Sequence, residues 1–121
     1  MQPHRLVLAA LVCSLTVQAL AQDQPVTPKE IQETWVGKTL SGTNASGGPV
    51  TMKMQADGSA SVAAGSTSDT GSWRLSDQGY CTTWKTIRAG QERCFTARRA
   101  GTRVTVLNPD GSVSGYFTEI R

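Results

Sequence analysis

Gly79-Tyr80-Cys81-Thr82-Thr83-Trp84-Lys85-Thr86-Ile87-Arg88-Ala89-Gly90-Gln91-Glu92-Arg93-Cys94-Phe95 is the stretch that decides the fold. In an extended strand successive side chains point to opposite faces, so Tyr80, Thr82 and Trp84 share one face and Cys81 takes the other. Across the Ala89-Gly90 turn signal, Phe95 and Ala97 face away from Cys94. Setting Cys81 beside Cys94 therefore brings Tyr80, Trp84 and Phe95 to one side. A register slip of one residue would break the bridge and the aromatic cluster together. The segment reads as an antiparallel hairpin with an apolar face and a disulfide on its back.

Outward from this hairpin the same pattern repeats. Gly47-Gly48-Pro49, Asp57-Gly58, Asp77-Gln78-Gly79, Ala100-Gly101 and Asp110-Gly111 are turn signals at short spacing. Between them, Val50, Met52 and Met54 alternate with Thr51, Lys53 and Gln55, and Val104 and Val106 alternate with Arg103 and Thr105. Ala60, Val62 and Ala64 form a weaker version, as do Trp73 and Leu75 around Arg74. Strands are expected at 35–42, 49–55, 59–64, 70–76, 80–86, 92–99, 102–107 and 113–120. Residues 44–48 and 63–70 read as flexible loops. Short strands joined by tight turns without a long crossover make an up-and-down antiparallel meander, which removes its exposed edges by curling into a small β-barrel. The small residues of 58–65 are suited to that coiling.

Before the strands, Thr27-Pro28-Lys29-Glu30 has the form of a helix start, with Thr27 as cap, Pro28 at the first position and Glu30 closing a capping box. Ile31 and Trp35 then lie on one face of a helix of one to two turns. Gln22 to Val26 reads as a polar, disordered arm. The first 21 residues have the layout of a secretory signal peptide: Arg5, an apolar run from Leu6 to Val17 that contains Cys13, and a small-x-small site at Ala19-Leu20-Ala21. The run is too short to span a bilayer. The expected organisation is thus a signal peptide at 1–21, an arm and short helix at 22–34, and a barrel domain at 35–121. Of the three cysteines, Cys81 and Cys94 remain after cleavage, and an even count in an exported chain implies a bridge.

The composition argues against most catalytic chemistry. His4, the only histidine, belongs to the signal segment, which leaves no Ser-His or Cys-His pair. Asp57, Asp77 and Asp110 precede glycines and suit turn formation better than acid–base work. No phosphate-binding glycine loop is present, and neither cofactor nor metal is expected. Charge is uneven. Six of the twelve Lys and Arg residues lie between Lys85 and Arg103, with Glu92 the only acid among them. Arg88, Arg93, Arg98 and Arg99 are the candidate residues for a surface that meets an anionic partner, against the plainer reading of a solvated sheet face. Nucleic acid is not expected, since interleaved exposed aromatics are lacking.

Gly37-Lys38-Thr39 with Gly42, Asp57-Gly58, Gly71-Ser72-Trp73, the Cys81-x-x-Trp84 to Cys94-Phe95 block, and Asp110-Gly111 followed by Gly115-Tyr116-Phe117 resemble the DUF995 family of small exported bacterial proteins of uncharacterised function. The resemblance covers residues 35–121 and implies a calycin-like small β-barrel, with its Gly-x-Trp in mid-chain rather than on the first strand. It supplies no activity.

The expected role is a non-catalytic binding domain, in the periplasm or outside the cell, that engages an envelope macromolecule through its surface or basic hairpin. The alternatives are a monomeric carrier of a small apolar ligand in a barrel cavity and a structural envelope component. Mass spectrometry of the exported protein is expected to find a chain beginning at Gln22; retention of the first 21 residues would overturn the signal-peptide assignment.

Overall fold

The alternation seen in the sequence becomes a barrel wall. The computed structural model describes Pro3, Ala9, Ala10, Val12 and residues 23–121; the expected signal peptide lies almost wholly outside the described residues. Strand β1 (Gln24–Pro25) and helix α1 (Pro28–Thr34) precede β2 (Thr39–Asn44), β3 (Pro49–Met54), β4 (Ser59–Ala64), β5 (Thr67–Leu75), β6 (Tyr80–Trp84), β7 (Arg93–Ala100), β8 (Arg103–Leu107) and β9 (Val113–Ile120). Each of β2 to β9 pairs antiparallel with the next, and β9 returns to β2. The result is a closed barrel of eight strands, the small all-β barrel expected from the turn spacing. Among the described residues no helix is long and apolar enough to cross a membrane.

The hairpin register is the one the cysteines require: Tyr80 opposite Phe95, Cys81 opposite Cys94 and Thr82 opposite Arg93. Cys81 and Cys94 are joined. Tyr80, Trp84 and Phe95 are buried on the inner face. This ladder is short, at three pairs, because β6 begins at Tyr80 and β7 begins at Arg93. Beyond it, β1 lies along β7, pairing Gln24 with Arg99 and Pro25 with Arg98, while Val26 N donates to Ala97 O at 2.8 Å. The arm is therefore a docked strand, not the disordered segment its polar composition suggested. Val26, buried among the core side chains, anchors it.

One end of the barrel is sealed by α1. Thr27 Oγ1 accepts from Glu30 N at 3.2 Å, as the cap reading requires, but the Glu30 carboxylate pairs with Arg99 instead of closing the capping box. Ile31 and Trp35 are buried, and Trp35 packs edge-on against Tyr80 at 5.6 Å and Phe117 at 6.1 Å between ring centroids. Trp35 ends the helix and does not begin a strand. The expected strand at 35–42 starts late because Val36 to Lys38 turn the chain, with Gly37 at φ +79°. The expected loop at 63–70 is also different. Ala63 and Ala64 finish β4, Thr67 opens β5, and Gly65-Ser66 form a tight hairpin turn between them. Ser and Thr on both faces had hidden the period of this hairpin.

The barrel needs close backbone approach at several glycines, closest at two of them. An added Cβ at Gly42 would lie 1.8 Å from Tyr116 O, beside the register shift at Ser41/Gly42, and one at Gly71 would lie 1.9 Å from Thr83 O. Such contacts cannot be relieved by a flexible side chain, so both positions require glycine. Gly71→Ala is expected to cost about 2 kcal/mol or more in urea unfolding, with exposed Ser72→Ala near neutral; equal stability of the two variants would refute the close-approach account.

Candidate functional site

The sealed end and the open end differ in kind. At the open end lie the connections after β2, β4, β6 and β8. Just inside this mouth is a cup of about 250 Å³. Val50 and Met52 of β3, Val62 and Ala64 of β4, Trp84 of β6, Phe95 of β7 and Val106 of β8 supply its apolar wall. Tyr80 and Thr82 line it as well, and Arg88 is its one charged residue among those described. An eight-stranded barrel has an interior either filled by side chains or large enough for one small ligand. Here the half near α1 is filled and the half near the mouth is not. The small side chain of Ala64 contributes to that space.

Arg88 enters from the connection between β6 and β7. Its Nη2 donates to Thr82 Oγ1 at 2.8 Å and to Thr82 O at 3.2 Å. The guanidinium lies 5.5 Å from the Phe95 ring centroid. Its Nε is buried and has no hydrogen-bond partner among the described residues. Burial lowers the Arg88 pKa, and the Arg93 charge pushes in the same direction. Arginine nevertheless stays protonated at any physiological pH. Burial likewise raises the Tyr80 pKa far above the ordinary phenol value, against the opposing pull of Arg88, so the phenol is neutral.

The backbone that delivers Arg88 is strained. Arg88 has φ +57° and Ala89 φ +53°, both in the left-handed region, followed by Gly90 at +75°. For residues with a Cβ this conformation costs roughly 1–2 kcal/mol each, and such strain persists where surrounding contacts hold it. The holding contacts come from Asp69 of β5. Its Oδ2 accepts from Ile87 N, Thr86 N and Thr86 Oγ1, each at 2.9 Å. These bonds, the Ile87 amide first, depress the Asp69 pKa well below the usual carboxylate range.

The four arginines singled out from the sequence are not gathered on one face. Arg88 turns into the mouth, and Arg93 is exposed near it. Arg98 pairs with Asp23 at 3.0 Å and Arg99 with Glu30, so both tie the N-terminal arm and helix to β7. Cys81 and Cys94 lie on the outer side of their hairpin, where Arg74 bridges to Glu92 at 2.5 Å. The sulfurs and Glu92 sit close enough to suggest a metal site, but a disulfide offers no thiolate to hold one. Sequence reasoning missed Thr82 and Asp69 as partners of the mouth connection. A wider groove of about 590 Å³ runs over the outer face, with Thr51, Lys53, Ser61, Asp69 and Thr70 in its lining; there Asp69 is already occupied by Thr86 and Ile87.

The fold and its cup define a small closed β-barrel with a ligand-sized opening at one end. Comparison with known proteins found no matching family model, no matching curated protein and no matching solved structure.

A carboxylate with a depressed pKa contributes order above its unfolded value, near 3.9, and loses it as pH falls toward the folded value. The Thr86 and Ile87 amides are therefore expected to stay protected from neutral pH down to about 4 and to lose protection in stronger acid. Asp69→Ala should raise their hydrogen-exchange rates at least tenfold already at neutral pH. Unchanged protection in that variant would show that Asp69 does not hold the connection.

Proposed function

We propose that this protein is an exported, non-catalytic binding protein that holds a small, mainly apolar molecule in the cup at the mouth of its barrel. The observation that carries this is the contrast within one lumen, packed on the helix side and open over about 250 Å³ on the other. Concave, mostly apolar sites with a few placed polar groups are the usual form of small-ligand sites. At about 30 Å³ for each water-sized group, the cup suits a chain or ring of roughly eight heavy atoms.

Binding of an anionic envelope macromolecule at the surface draws on a smaller set of groups than the sequence suggested. Arg98 and Arg99 are engaged with Asp23 and Glu30, which leaves Arg93 and Lys85 exposed beside the mouth. These two cations fit a subsidiary role in attracting a ligand or partner toward the opening.

The protein, purified with its disulfide intact, is expected to bind a neutral probe such as 1-octanol or toluene, with NMR shifts centred on Val62, Trp84 and Val106. Ala64→Phe, which fills the cup, should weaken this binding at least tenfold while leaving the melting temperature unchanged or higher. Absence of shifts at the lining residues with both probes would sink the proposal.

A further inference from the structure

The described arginines divide by what neutralises them. Arg74, Arg98, Arg99 and Arg121 pair with Glu92, Asp23, Glu30 and Glu119. Arg103 stacks over Tyr116, 3.7 Å from its centroid, and Arg93 is exposed to water. Arg88 alone lines the cup, with no described carboxylate beside it; Arg98, which borders a separate hollow next to β1, is already paired with Asp23. Thr82 holds one edge of its guanidinium through Nη2, which fixes the plane of the fork, and Phe95 supports the cation. The buried Nε has no partner among the described residues. A half-buried cation whose buried Nε has no partner is costly unless an anion meets it. The connection nevertheless adopts two consecutive left-handed residues to put Arg88 there. A solvent-facing arginine at a hairpin tip would need none of this.

We propose that the cup receives a small amphiphile bearing a single carboxylate, and that the Arg88 guanidinium seats the carboxylate while the chain or ring lies among Met52, Val62, Trp84 and Val106. This rests on the reading of the cup as a binding site and names its ligand class. With Nη2 held by Thr82 and Nε buried, Nη1 is the donor left to meet the carboxylate, in a charge-assisted hydrogen bond. One cation with no second positive residue in the lining favours a monoanion over a doubly charged phosphate ester. The apolar wall requires the remainder of the molecule to be hydrocarbon, and at about 30 Å³ for each group the cup encloses roughly eight heavy atoms of it. The Arg93 charge near Arg88 adds to the attraction for the headgroup and disfavours a cationic ligand.

The test compares octanoate with 1-octanol, which shares its chain and lacks its charge, by NMR titration of the disulfide-intact protein at neutral pH. Octanoate is expected to bind at least tenfold more tightly, as a charge-assisted hydrogen bond in a partly desolvated site would give. The side-chain Nε–H resonance of Arg88 should move with octanoate and stay in place with octanol. Arg88→Met should bring octanoate down to the affinity of octanol and leave octanol binding intact, which also certifies its fold. Arg88→Lys, which keeps the charge and loses the fork, should retain part of the preference, and it decides the matter together with the wild-type pair if the Met variant does not fold. Octanol binding in the cup with octanoate no tighter would overturn the carboxylate assignment and leave the cup reading standing. Octanoate shifts confined to Lys85 and Arg93 outside the mouth would overturn Arg88 as the seat. Failure of both probes to reach the lining residues would instead remove the cup reading itself.

Discussion

The seam between β6 and β7 is the constraint on which the rest of the barrel depends. It has three residue pairs, where β4 and β5 share six, and a ladder that short contributes few hydrogen bonds to closure. The Cys81–Cys94 bridge lies at its centre and fixes the register that three pairs alone would specify weakly. In the chain-entropy account a bridge over a loop of this size stabilises by about 3 kcal/mol, a large share of what a small domain has. The β7 edge beyond Phe95, where β6 has not yet begun, is covered by β1. A covalent link and a docked arm together do what a longer strand would do elsewhere in the wall.

The late start of β7 also shapes the mouth. Thr83 and Trp84 of β6 have no partner on β7, and the eight residues from Lys85 to Glu92 that return to Arg93 turn inward. Asp69 receives the start of this connection and Thr82 receives the guanidinium that it delivers. The late return that shortens the seam therefore also delivers Arg88, the one charged residue among those described that line the cup. Stability and site are coupled through one strand end.

Much of this was legible in the amino-acid order. The inward faces of Val50, Met52 and Met54 follow from strict alternation, and the Tyr80–Phe95 register follows from the cysteines once a bridge is assumed. Three features were not legible, each for a physical reason. Trp35 fits a strand pattern as well as a helix end, since a single buried aromatic has no period, and only its contacts with Tyr80 and Phe117 decide. Gly42 and Gly71 look like ordinary strand glycines, and the need for them comes from a neighbouring backbone distant in sequence. Arg88 carries no local sign of its left-handed backbone, because that conformation is usually announced by Gly or Asn. The charge count around it pointed to the outside of the protein. Its inward turn is imposed by Asp69, nearly twenty positions earlier in the chain, and pairwise contacts of that range leave no trace in a window of sequence.

Closure of β2 against β9 has a kinetic side. The two strands meet across 77 positions, as at Thr118 and Ser41, and the loop entropy for such a contact is lost before any pairing energy returns. Strands β3 to β8 can zip hairpin by hairpin, each step local, but the cup draws its wall from every barrel strand except β5 and exists only once β9 has arrived. Until β9 arrives, the sheet presents open edges. A ligand of the cup would accordingly bind late and would stabilise the finished barrel by mass action without guiding its assembly.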